Sequence, residues 1–102
     1  MIRHVVLFTW SETTTDAEVA EITARLRALP GSIPELRSYY VGADLGIAGT
    51  ADFAVVADFD NAADFAAYQS HPLHVAVRDE WILPRVAHRH AVQYTLAVAV
   101  PQ

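Results

Sequence analysis

The sequence predicts a single α+β domain with the element order β-α-β-β-α-β, its four strands forming one antiparallel sheet. Three observations carry this. Four runs rich in β-branched and aromatic residues are spread along the chain, two stretches repeat apolar residues at helical spacing, and a glycine-bearing connector joins the second strand to the third without a helix. A length of 102 residues fits one domain, and 53% apolar with 19% charged content is that of a globular chain. The expected domain covers residues 1–97, followed by a tail at 98–102.

The first strand is Ile2 to Thr9. It divides by period two into Ile2, His4, Val6 and Phe8 on one face and Arg3, Val5, Leu7 and Thr9 on the other. Thr15-Asp16-Ala17-Glu18 has the form of a capping box, after which Val19, Ile22, Leu26 and Leu29 mark a helix running to about Leu29. Glu21 and Arg25 support it as an i, i+4 pair, and Pro30-Gly31 ends it. Strand two is Leu36 to Val41. Gly42, Asp44, Gly46 and Gly49 then form a connector of about eight residues leading to strand three at about Asp52 to Phe59. A dinucleotide-binding loop sits between a strand and a helix, so these glycines are not one. Asp60 or Asn61 caps a short helix carrying Phe65 and Tyr68, Ser70-His71-Pro72 interrupts it, and a further helical stretch runs from Leu73 to about Leu83 before Pro84. The last strand is His88 to Leu96. This is the split βαβ, or ferredoxin-like, arrangement with the helices on one face of the sheet.

A sheet covered on one side has a polar second face. Here Val5 and Leu7 stand opposite Val6 and Phe8, and strand three reads Phe53-Ala54-Val55-Val56-Ala57. Two apolar faces predict a second copy packed sheet to sheet, a homodimeric α+β barrel buried at Val5, at Val55 or at whichever neighbours point away from the helices.

Composition excludes several partners. Seven arginines, no lysine and twelve acidic residues give a formal charge of −5 without a basic cluster, so no nucleic acid is expected. There is no cysteine for a disulfide, a thiolate metal site or a nucleophile. The start Met1-Ile2-Arg3-His4 does not have the layout of a signal peptide, and the apolar runs of four to six residues are far short of the roughly 20 that span a bilayer. A cytoplasmic protein with no membrane partner is expected.

The residues with chemistry gather around the helix break. Pro72 suits a first helical turn and so places His74 in that turn, with Val77, Arg78 and Trp81 at helical spacing from it. Tyr68 precedes the bend, which can turn its hydroxyl toward the same space, and His4 shares a strand face with Val6 and Phe8. If that face meets the helices, three titratable groups converge in an apolar pocket. Such a set suits deprotonation of a carbon between two carbonyls, with His74 as base, Tyr68 donating to the enolate oxygen and His4 tuning His74. His71, Phe53, Val6, Phe8, Val77 and Trp81 are the candidate ligand contacts; for His71 the competing reading is a helix cap, and for Tyr68 a core ring with its hydroxyl toward solvent. Trp10, Tyr39, Tyr40 and Phe59 are read, with Trp81, as core or interface aromatics. The pairs His71/His74 and His88/His90 each put two imidazoles on one side of an element, but no carboxylate is placed as a third ligand, and neither a metal nor a cofactor is expected.

The strings Arg3-His4-Val5-Val6-Leu7-Phe8, Phe53-Ala54-Val55-Val56-Ala57-Asp58-Phe59 and Tyr68-Gln69-Ser70-His71-Pro72-Leu73-His74-Val75 together resemble the stress-responsive A/B barrel (Dabb) family, from Arg3 to about Tyr94. The resemblance implies a homodimeric barrel. It also implies a range of activities, since the family holds plant stress proteins as well as a plant polyketide cyclase that closes a linear tetraketide by aldol chemistry without a cofactor. That cyclase's strand histidine, helix tyrosine and catalytic histidine fall on His4, Tyr68 and His74, a further histidine falls on His71, and one on its third strand falls near Phe53. The expectation is therefore a homodimer binding a small hydrophobic, polyketide-like ligand and acting as a cofactor-free cyclase or lyase. Two alternatives stand beside it: a non-enzymatic stress or assembly protein with no ligand-sized cavity, and a cofactor-free monooxygenase of the related dimeric barrels.

Overall fold

The computed structural model describes residues 1–97, so the expected tail at 98–102 lies outside the described residues. The elements are β1 (Ile2–Trp10), α1 (Asp16–Ala28), β2 (Ser38–Ala43), β3 (Phe53–Phe59), α2 (Ala62–Ser70), α3 (Pro72–Val77) and β4 (Val86–Thr95). The strands form one antiparallel sheet in the order β2-β3-β1-β4, the predicted ferredoxin-like topology.

Local chemistry places each boundary. The Thr15 hydroxyl accepts the Glu18 backbone N–H at 3.1 Å while the Glu18 carboxylate accepts the Thr15 N–H at 3.0 Å, which closes the capping box on α1. Asn61 caps α2 by accepting the Asp64 N–H. Strand β2 lies two residues later than predicted, because the Leu36 N–H is held in a turn by the Ile33 carbonyl and the ladder with β3 opens only at Ser38 opposite Asp58. Gly42, read as connector, is instead a strand residue opposite Ala54. Strand β4 begins at Val86 rather than His88, reaching it through a register shift opposite Thr9 and Trp10. The helical stretch after Pro72 is not uniform: α3 ends at Val77 and a π-helical turn follows at Arg78–Ile82, closed by the Leu83 N–H on the Arg78 carbonyl.

The core lies between the sheet and the helices. Val6 and Phe8 of β1, Val55 and Ala57 of β3 and Ile22 and Leu26 of α1 are buried there. The register puts Val5, Leu7, Ala54, Val56, Tyr40 and Val92 on the other face. Val55 therefore faces the helices, and its neighbour Val56 is the one that points away. Leu7 is 40% and Val92 54% exposed on that face, an apolar surface that the single chain leaves uncovered. At one end it carries a bidentate ion pair, Arg3 to Asp58 at 2.8 and 2.9 Å, which holds the Asp58 carboxyl below the usual carboxylate range. Among the described residues, no helix is long and apolar enough to cross a membrane.

Candidate functional site

A cavity of about 300 Å³ opens between the helical face of the sheet and the α2-α3 bend. Its apolar wall is Val6, Phe8 and Val55 from the sheet with Leu26, Ile82 and Leu83 from the helical layer; its polar groups are His4, Tyr39, Tyr68, Gln69, His74, Arg78 and Arg89. An apolar enclosure with a few convergent polar side chains has the make-up of a small-molecule site.

The bend at His71-Pro72 builds the centre of it. His71 is extended at φ −62°, ψ 130°, as a residue before proline tends to be, and this turns α3 so that the His74 ring meets the Tyr68 ring at a centroid separation of 4.2 Å. The Gln69 carbonyl lies 3.2 Å from His74 Nδ1; a carbonyl only accepts, so Nδ1 carries the proton of the neutral ring and Nε2 keeps its lone pair. Burial is the main cause that lowers the His74 pKa below its ordinary value, and the neighbouring Arg78 and Arg89 charges add to it. Tyr68 is buried, its hydroxyl 3.0 Å from that of Tyr39, and burial raises both phenol pKa values. His4, buried on β1, is packed against the Phe65 ring at 4.8 Å and receives the Gln93 side-chain amide on Nδ1 at 2.8 Å. Burial first, then the charges of Arg89 and His74, lowers its pKa to about 4, so it is neutral near pH 7 with its proton on Nε2.

Of the sequence-predicted residues, His4, Tyr68, His74, Val6 and Phe8 line this cavity together. His4 and His74 share it without a hydrogen bond between them among the described residues. His71, Phe53, Val77 and Trp81 lie outside its lining. His71 caps α3, its Nδ1 accepting the Leu73 N–H at 3.2 Å, a demand set by the first turn of any helix. Phe53 is packed between Phe8 and Trp10 at the far end of the sheet, with ring separations of 6.4 and 5.5 Å. Val77 is buried in the core, and Trp81 is flanked by the Arg25 and Arg85 guanidinium groups at 4.5 and 4.8 Å. Three polar cavity residues are absent from the predicted contacts: Tyr39, Gln69 and Arg89. Alternation with Tyr40 and Val41 puts Tyr39 on one face with Val41, and Arg89 follows from the same period-two pattern in the last strand, whereas Gln69 lies beside Tyr68 at the end of α2, where helical periodicity does not assign it to the cavity. Arg78, at helical spacing from His74, is in the lining. Among the described residues no three or more His, Asp or Glu side chains gather to hold a metal ion.

Known proteins share this fold. Residues 2–96 match the model of the stress-responsive A/B barrel domain, Dabb. A dimeric ferredoxin-like protein of unknown function from Thermobifida fusca is 50% identical, with a TM-score of 0.87 over 93% of this chain and 90% of that one. A second dimeric ferredoxin-like protein, from Bacteroides fragilis, is 27% identical at a TM-score of 0.81 over 93% and 95%. The hydroxynitrile lyase of Passiflora edulis, 22% identical, has the same fold at a TM-score of 0.83 over 98% and 96%. The search of curated proteins gives no match. With the family model matching residues 2–96 and the fold in agreement, the chain belongs to the stress-responsive A/B barrel family.

Proposed function

We propose that this protein is a homodimer whose subunits each bind a small, largely apolar dicarbonyl compound and catalyse cofactor-free acid–base chemistry on it, such as aldol closure of a polyketide-like chain. The observation that carries this is the set of His74, Tyr68, Tyr39 and His4 on the wall of a cavity that side chains leave open, about 300 Å³ in volume. A filled interior around His74 would have favoured the purely structural alternative.

The groups divide the work by their protonation. His74 Nε2 holds the lone pair and takes the proton from the carbon between two carbonyls; the electron pair of the broken C–H bond moves onto a carbonyl oxygen. When Tyr39 donates to Tyr68, the Tyr68 proton is left to point into the cavity and stabilises that oxygen. The enolate carbon then attacks a second carbonyl of the same chain, a C–C bond forms, and the new alkoxide takes back the proton from the His74 imidazolium. His4, neutral with Nε2–H, is a second donor rather than a second base. No oxidant enters the balance.

Deuterium exchange at the central carbon of heptane-3,5-dione, followed by NMR in D2O, tests the reading. Wild-type protein is expected to speed exchange, His74→Gln to lose about 100-fold or more of the acceleration, and Tyr68→Phe about 10-fold or more. Equal exchange with wild type and His74→Gln, in folded protein, would remove His74 as the base. Oxygen uptake with an electron-rich aromatic substrate, measured with an oxygen electrode, would instead favour the monooxygenase alternative.

A further inference from the structure

The cavity has a charged mouth that the acid–base reading does not use. In a chain of formal charge −5, its lining holds two arginines, Arg78 and Arg89, and no Asp or Glu. The chain has seven arginines. Arg3, Arg25, Arg37, Arg78 and Arg85 each pair with a carboxylate, and Arg27 donates to the Val41 carbonyl at 3.3 Å. Arg89 alone makes no side-chain hydrogen bond or ion pair among the described residues. It stands opposite Phe8 on β4, on the helical side of the sheet, exposed to solvent at the cavity rim. Arg78 enters from the opposite wall, on the π turn, and its carboxylate partner among the described residues is the exposed Asp79 next to it, through Nε at 3.0 Å, which leaves its terminal nitrogens for a ligand.

We propose that Arg89 and Arg78 form a carboxylate-binding mouth, so that the ligand is an acyl chain with a free carboxylate at the rim and its carbonyl-bearing body inside, beside Tyr68 and His74. The inference deepens the acid–base reading and rests on its cavity. A guanidinium offers a planar fork of N–H donors that matches two carboxylate oxygens, and charge-assisted bonds of this kind are stronger than neutral ones. Two such groups across an opening with no competing carboxylate in the lining select an anion over its neutral isostere. The anchored carboxylate also fixes depth: a chain held at the rim presents the same carbon to His74 in each binding event, which is the positioning that closure into one ring size requires.

The test compares octanoate, octanamide and octan-1-ol by calorimetric titration of the full-length protein. Octanoate is expected to bind about 10-fold or more tighter than the two neutral compounds. Arg89→Gln is expected to erase that preference while leaving the neutral compounds unchanged, and Arg78→Gln to reduce it. Arg89 lies on an exposed position of an edge strand, so its replacement leaves the core intact; Arg89→Lys should retain part of the preference. Arg37→Gln, which removes an exposed arginine outside the cavity lining, is expected to bind octanoate like wild type, which separates the mouth from a general loss of positive charge. If all three compounds bind equally and Arg89→Gln changes nothing, the carboxylate assignment is overturned while the ligand cavity stands. If none binds, the cavity reading falls and this inference with it.

Discussion

His4 and His74 show how one cavity gives two imidazoles different work. The Gln93 amide donates to His4 Nδ1, and the Gln69 carbonyl accepts from His74 Nδ1, so the free nitrogen is a donor in the first ring and an acceptor in the second. Burial lowers both pKa values. The unfolded chain therefore binds protons on these residues at a pH where the folded chain does not, and stability must rise with pH through that interval. For His4 the interval runs from about 4 up to its ordinary value of 6.5, a total of about 3 kcal/mol. Urea unfolding between pH 4.5 and 6.5 should show the midpoint climbing, with a shallower climb in His4→Gln. Asp58 and Glu18, both held below the usual carboxylate range, begin to lose their contributions near the acid edge of this window, as pH falls toward their ordinary values of 3.8 and 4.5, and the difference between wild type and His4→Gln separates His4 from them. A pH-independent wild-type midpoint would show that His4 is not a buried neutral group.

At the scale of elements, caps and breaks do most of the positioning. Thr15→Ala removes one half of the box on α1 and should cost about 1 kcal/mol, read as a lower urea midpoint at unchanged m-value and unchanged ligand affinity, because α1 touches the cavity only through Leu26. These devices were legible because they are local: Thr15 and Glu18, Asn61, and Pro72 each act within a few residues, and from them the topology and the convergence of His4, Tyr68 and His74 follow. What period and propensity do not encode is where a ladder opens or how a helix widens. Strand β2 starts where Asp58 of another strand offers a partner to Ser38, and the turn at Arg78–Ile82 differs from an α-helix by one residue per hydrogen-bonded ring. Phe53 was misplaced for a related reason. Its face was correct, but its position along the strand sets it near Trp10, at the end of the sheet away from His4.

For the molecule as a whole, the unresolved demand is the second face of the sheet. Val5, Leu7, Val56 and Val92 form an apolar surface too continuous for an isolated chain, and similar chains of this fold are dimers. Val56→Asp should convert the protein to aggregates or an unfolded monomer in sedimentation velocity; a stable, folded monomer would count against the sheet-to-sheet dimer. The outer histidines His88 and His90, opposite Thr9 and Leu7, belong to that face and not to the cavity. This arrangement offers an internal control for the most direct test of function. Nitrogen-15 NMR of the five histidines during titration with heptane-3,5-dione reads both ring nitrogens at once. The expected result is a free His74 in the Nδ1–H form whose Nε2 signal shifts as the compound binds, with His4 perturbed and His88 and His90 unmoved. Saturation with no change at His74 or His4, or shifts of equal size at His88 and His90, would place the ligand elsewhere and contradict the assignment of this cavity as the active site.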